Sequence, residues 1–147
     1  DMTMIQKDIE SIILLQIDKT SKIAKSYSQK EFDLSGMEIT IDQWLLLKII
    51  AESNEISQKE LADKSLRDPA SITRTLDLLT KKDYVLREPI PNNKRQYNLT
   101  LTKKGNEFVE EHKEKVAQHK KKSVKGFSKD ELMMLNALLK RIQKNMS

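Results

Sequence analysis

The stretch REPIPNNKRQYNLTLT, residues 87–102, limits the fold of this chain more than any other segment. Pro91 fixes its own φ angle and pushes Ile90 toward extended geometry. Asn92 and Asn93 follow, and asparagine tolerates turn conformations, including left-handed ones. The composition predicts a tight turn at this point.

Apolar and polar residues alternate after the turn, with the apolar positions at Tyr97, Leu99 and Leu101. A period of two is typical of a half-buried β-strand. Residues 84–87 are the candidate strand before the turn, so the segment predicts a β-hairpin with Lys94 and Arg95 near its tip. Because a lone hairpin is marginally stable in water, it must pack against the rest of the chain.

The rest of the chain predicts helices. Three capping boxes, in which a threonine or serine precedes a glutamine or glutamate by three residues, mark helix starts at Thr40, Ser57 and Ser128. Asp68-Pro69 marks another, with aspartate as the cap and proline at the first helical position. With apolar periodicity, these signals predict helices over about 4–32, 41–51, 58–64, 69–82, 103–122 and from 129 onward. The fold class is therefore mainly α with a small β-hairpin (α+β).

Length and charge bound the class of protein. A chain of 147 residues fits one compact domain, or one domain with oligomerisation arms. Its 27 Lys and Arg against 22 Asp and Glu give a net charge of +5, a mild basic excess that is compatible with nucleic-acid binding.

Several function classes are excluded or disfavoured. Without cysteine the chain has no disulfide, no thiol catalysis and no zinc-cysteine site. His112 and His119, seven residues apart, share a helix face, but structural zinc usually takes four ligands, so we predict no metal and no cofactor. No nucleophile–base set or phosphate loop is present, so we do not expect an enzyme. No apolar run reaches the roughly 18 residues of a membrane span, which favours a cytoplasmic protein.

Residues 57–82 fit a helix-turn-helix, with the connection at residues 65–67. The second helix carries small and hydrogen-bonding side chains at its N-terminus and on its outer face, which suits a DNA major groove. The candidate DNA contacts there are Asp68, Pro69, Ala70, Ser71, Thr73 and Arg74, and Asp77 also lies on the outer face. The hairpin is then a wing, and Asn93, Lys94 and Arg95 are its candidate contacts with a minor groove or phosphate.

The sequence resembles the MarR family of bacterial winged-helix regulators over nearly its whole length. The matching segments are ITIDQWLLLKI, ISQKELADKSLRDPASITRTLDLLTKKDYVLRE and NNKRQYNLTLTKKG, in family order and at family spacing. The resemblance implies a single domain over 1–147, with a winged helix-turn-helix lobe at 37–102 and dimerisation arms at 1–36 and 103–147. It implies a homodimer whose recognition helices lie about 34 Å apart on a pseudo-palindromic operator in double-stranded DNA.

A repressor that is released by a small-molecule effector or another signal is the role that the resemblance favours. An effector pocket between the arms and the lobe would be lined by Tyr27, Met37 and Trp44. Two positions depart from the family pattern. Asp83 stands where glycine is common, which aspartate tolerates in a left-handed turn. Asn93 replaces an aspartate that would help to hold Arg95.

Simpler interpretations remain beside these. Arg74 is also explained as a solvated charge, Ser57 as a helix cap alone, and the wing cations as protection of an edge strand. The run Lys120-Lys121-Lys122 with Lys125 fits a second DNA surface or a solvated helix end. The alternative function is a winged-helix module that binds a protein partner without operator preference.

Overall fold

The structure, a computed structural model, describes residues 8–147, with the side chain of Lys94 left out. Within these residues the chain forms six helices and one three-stranded antiparallel sheet. The elements are α1 (Ile9–Leu34), α2 (Ile41–Ser53), β1 (Ile56–Ser57), α3 (Gln58–Ser65), α4 (Pro69–Lys81), β2 (Val85–Ile90), β3 (Asn93–Leu101), α5 (Lys103–Ser123) and α6 (Lys129–Met146). The predicted fold class is confirmed. The first residues of the predicted N-terminal helix lie outside the described residues.

The helix starts are the ones that the capping signals predict. Thr40 and Ser128 each form a complete capping box, in which both the cap and the third helical residue make their hydrogen bonds. The Ser57 hydroxyl accepts from the Glu60 backbone N–H at 3.1 Å. Asp68 accepts from a backbone N–H in the first turn of α4, and proline occupies the first helical position. These local bonds satisfy backbone donors that a helix leaves free.

The sheet has the strand order β1-β3-β2, which places β3 in the centre. Ile56 and Arg87 both pair with Leu99, from opposite sides. The hairpin extends further than predicted, since β2 ends at Ile90 rather than Arg87 and β3 begins at Asn93. The added length includes Pro89, which pairs with Tyr97 just before the register shifts. Proline is tolerated in edge strands and at such irregularities, so its presence did not end the strand.

Left-handed backbone marks the turns around α4 and the hairpin. Asp83 has φ +62° and Asn92 has φ +68°. The prediction that aspartate replaces the usual glycine in a left-handed turn is therefore confirmed. Leu66, in the connection between α3 and α4, has φ +55°, which the sequence did not signal.

The start of α5 is tied to the chain that leaves α4. The Thr102 hydroxyl donates to the Asp83 carbonyl at 2.6 Å and accepts from the Gly105 N–H at 2.9 Å. A Cβ atom at Gly105 would fall on the backbone of Tyr84. Glycine is required here because two backbone segments pass this close.

Residues up to Glu114 form one compact unit and Lys115–Ser147 form a second. The core of the first unit is built from apolar residues of all its helices and strands. It includes Phe32, Met37, Trp44, Leu46, Leu47, Ile50, Ile56, Leu61, Ile72, Leu76, Leu79, Val85, Leu99 and Val109. In the second unit, α6 has no buried residue. None of the helices in residues 8–147 is long and apolar enough to cross a membrane.

Candidate nucleic-acid interface

Helix α4 has one buried face and one face exposed to solvent. Ile72, Leu76 and Leu79 are buried, at the spacing of four and three that the sequence predicted. Ala70 and Arg74, on the opposite side, are exposed. The small side chain of Ala70 leaves the helix backbone accessible beside the Arg74 guanidinium. A helix that approaches the floor of a DNA groove closely requires this arrangement.

The N-terminal end of α4 is shaped by its cap. The Asp68 carboxylate accepts from the Ser71 backbone N–H at 2.9 Å. Asp68 and Pro69 are exposed, whereas Ser71 is half-buried. Partial positive charge at a helix N-terminus attracts phosphate, and this capping carboxylate partly offsets it.

The connection between α3 and α4 is fixed by an ion pair that sequence reasoning did not find. The Arg67 guanidinium lies 3.1 Å from the Asp42 carboxylate, at the start of α2. Lys25 of α1 lies 3.5 Å from the same carboxylate. Because the partners are about one-third exposed or more, each pair contributes at most about 1 kcal/mol to stability. Their effect is to orient the connection.

The wing is attached to α4 through Arg87. Its guanidinium lies 2.7 Å from the Asp77 carboxylate and 5.6 Å from the centroid of the Tyr97 ring. Asp77 is exposed on the outer face of the helix, as predicted, and its carboxylate is held by this ion pair. The ion pair joins α4 to β2, and the contact with the Tyr97 ring joins β2 to β3, so helix and wing are positioned together.

The wing tip holds its backbone through Asn93. The amide oxygen of this side chain accepts from the Arg95 backbone N–H at 3.3 Å. The asparagine thus supports the backbone of Arg95, where the family's aspartate would pair with the arginine itself. Arg95 is exposed, and the side chain of Lys94 lies outside the description.

The three residues predicted to line an effector pocket have different surroundings within one chain. Met37 and Trp44 are buried in the core, and the Trp44 ring packs edge-on against Phe32 and Phe108 at centroid distances of 6.2 and 6.3 Å. Tyr27 lines an open cavity of about 390 Å³ whose walls are all from α1.

An aromatic and titratable cluster adjoins this core. The Tyr84 ring stacks on the Phe108 ring at a centroid distance of 4.7 Å, and the His112 ring packs against the same Phe108 ring at 4.5 Å. Burial raises the pKa of the Tyr84 hydroxyl, and the charges of Glu38 and Glu111 raise this pKa further. Among the described residues, no group of three histidine, aspartate or glutamate side chains could hold a metal ion.

An amphipathic recognition helix, a preceding helix at a tight connection, and an attached β-hairpin define a winged helix-turn-helix protein. The MarR family model matches residues 39–97. A cysteine-to-serine variant of MarR from E. coli, complexed with operator DNA, is 30% identical, with a TM-score of 0.78 over 90% of this chain and 95% of that one. The chain belongs to the MarR family of winged-helix transcriptional regulators.

Two further structures show how widely the fold is shared. A MarR protein from Peptoclostridium difficile is 26% identical, with a TM-score of 0.80 over 91% of this chain and 86% of that one. AbsC of Streptomyces coelicolor, a MarR-family regulator, is 15% identical, with a TM-score of 0.81 over 95% of both chains. At the latter identity the likeness concerns the fold alone.

Proposed function

We propose that this protein is a sequence-specific DNA-binding repressor that binds a pseudo-palindromic operator as a homodimer and is released by a signal. The observation that carries the proposal is α4, which exposes Ala70, Thr73 and Arg74 while Arg87 joins the helix to the wing. The E. coli relative is complexed with operator DNA, which supports operator binding as the function of this chain.

The division of labour follows from the chemistry of each element. The N-terminal half of α4 (Asp68, Pro69, Ala70, Ser71, Thr73 and Arg74) enters a major groove, where Arg74 reaches a base edge or a phosphate. The wing tip (Asn93, Lys94 and Arg95) meets the adjacent minor groove or its phosphates. Arginine is favoured there where the groove is narrow.

The arms supply the dimer. Helices α1 and α6 expose large apolar side chains, which include Ile9, Ile13, Leu15, Ile23, Met133, Met134, Leu135 and Leu138. Exposed apolar surface on this scale marks an interaction site. A second copy of the chain, packed arm against arm, covers it and spaces two recognition helices about one DNA turn, roughly 34 Å, apart.

Release requires a signal that discriminates between two states of the dimer. A small molecule can lower operator affinity only if it binds the DNA-incompetent geometry more tightly than the competent one. Because Met37 and Trp44 lie in the core and Tyr27 lies on α1, such a ligand needs a geometry of the dimer that brings these positions to one site.

The test is a fluorescence-anisotropy titration of the full chain on two duplexes of equal length. One carries the DNA upstream of its own gene, and the other carries the same bases scrambled; both are measured at two salt concentrations. We expect a preference of about 10³ or more for the first duplex. Equal binding to both duplexes that disappears with salt would reject operator recognition. The alternative function would then be tested by capturing protein partners on the immobilised full chain.

A further inference from the structure

We propose that Thr73 and Gln58 together read one base pair in each half-site, and that they select a base with an amino group at its major-groove edge. The inference rests on the proposed function and names how the operator is read. Gln58 lies on α3, outside the recognition helix, and acts through Thr73 as a positioning residue.

The hydroxyl of Thr73 is held by two hydrogen bonds. It donates to the Pro69 carbonyl at 3.1 Å and accepts from the Gln58 side-chain amide nitrogen at 3.2 Å. A threonine hydroxyl has one donor and two acceptor sites. Its donor and one acceptor site are therefore occupied, and what remains is a single acceptor on an exposed residue.

An acceptor without a free donor discriminates among the groups on DNA. Phosphate oxygens, guanine O6, thymine O4 and the purine N7 atoms are all acceptors, so they do not match it. The adenine N6 and cytosine N4 amino groups are the donors in the major groove. The bonded state of Thr73 thus favours adenine or cytosine over guanine or thymine on the contacted strand.

Gln58 strengthens this selection. Its amide nitrogen is used on Thr73, and its amide oxygen is buried with no hydrogen-bond partner among the described residues. An unsatisfied buried acceptor costs free energy and needs a reason to persist. Here the amide is held in this orientation by its hydrogen bond to Thr73, which keeps one acceptor site of the hydroxyl occupied.

The test selects bound duplexes from a library with a randomised core of about 20 bp, the length of two half-sites. Wild type, Thr73→Val and Gln58→Met are compared base by base. We expect wild type to favour one base pair at one position of each half-site, with the adenine or cytosine of that pair on the strand that Thr73 contacts. Both variants should lose that preference roughly three- to tenfold, as expected for one neutral hydrogen bond. Thr73→Val should shift toward thymine, since apolar contact with its methyl group remains.

The double variant should lose no more than either single variant, because both remove the same contact. Thr73→Ser keeps the hydroxyl and should keep the preference. The matched control is Gln118→Met, since Gln118 is an exposed glutamine on α5. This variant should leave the base preferences unchanged. If Thr73→Val does not fold, Gln58→Met decides alone.

Each failure has its own signature. An operator-specific wild type whose base preferences all survive in Thr73→Val and Gln58→Met would overturn base reading by these two residues. The proposal would also be wrong if the two variants lost base preference at different positions, or evenly over the whole site. Either result would leave the proposed function standing. A wild type that selects no sequence would overturn both.

Discussion

The winged helix-turn-helix lobe and the terminal arms carry the same kinds of apolar side chain and place them oppositely. In the lobe, Leu61, Leu76 and Leu99 have no exposed surface. In α6, Leu135 and Leu138 are among a row of exposed apolar residues, and the helix buries none. The lobe therefore closes its core within one chain, whereas the arms leave apolar side chains exposed, which we propose a second copy of the chain covers.

The largest effect separates the two regions by stability. Leu76→Ala should lower the free energy of unfolding by about 2–5 kcal/mol at any protein concentration, because it leaves a cavity in a closed core. Leu138→Ala in α6 should have an effect that grows with protein concentration, since its contacts form only in the dimer. Denaturant unfolding at several concentrations measures both. A difference in stability between wild type and the lobe variant that changes with protein concentration would contradict the distinction.

The second effect separates them by assembly. Leu135→Lys should dissociate the dimer and weaken operator binding about 100-fold or more, because the avidity of two linked half-sites is lost. Leu86→Lys is the matched control, since Leu86 of the lobe is 47% exposed and Leu135 is 48% exposed. The control should remain dimeric by sedimentation. Two monomeric variants, or two dimeric ones, would count against the arms as the interface.

The third effect lies within the lobe. Arg74→Ala should cost about 1–3 kcal/mol at the operator and relax base preference, if this arginine contacts a base. Arg141→Ala, on α6, serves as the control and should leave the preference intact. Anisotropy titrations against operators with single base changes measure both. An unchanged preference in Arg74→Ala would assign its guanidinium to phosphate or solvent.

The fourth effect concerns the wing. Lys94→Ala should weaken binding to all sequences alike and reduce the slope of log K against log salt by about one unit, as expected for one phosphate contact. The measurement is a salt titration on specific and scrambled duplexes. If Lys94→Ala and Arg74→Ala behave identically, the division between base reading by the helix and phosphate contact by the wing is wrong.

The smallest effect is a loss of stability at alkaline pH. Because the folded state raises the pKa of Tyr84, stability from its neutral hydroxyl is complete below the ordinary pKa of 10.0 and is lost as pH rises above it. Tyr84→Phe should remove this alkaline component. Unfolding midpoints of both proteins between about pH 9 and 11 test the sign. A wild type that gains stability over this range relative to the variant would refute the assignment.

The part of the fold that could be predicted rests on local chemistry. The cap at Thr40, the proline start of α4 and the left-handed Asp83 each depend on neighbours within a few residues. Strand β1 and the full length of the hairpin were missed, because they form through pairing with β3 rather than through their own pattern.

The candidate site shows the same limit. Exposed Ala70 and Arg74 follow from helical periodicity alone. The Gln58–Thr73 hydrogen bond joins residues 15 apart and the Arg67–Asp42 pair joins residues 25 apart. The periodicity of the sequence does not predict such contacts. Gln58 lies in the first turn of α3, where helix-turn-helix geometry brings it near the next helix, and this was the available signal.

The most direct test of the account compares one duplex carrying both half-sites with another in which one half-site is scrambled. Binding of the full chain is followed by anisotropy, and the stoichiometry is measured by sedimentation. Two chains should bind the intact operator as a unit, with affinity at least about 100-fold above that for the half-scrambled duplex. Equal affinity for the two duplexes, or one chain on the intact operator, would contradict a closed lobe placed on DNA by paired arms.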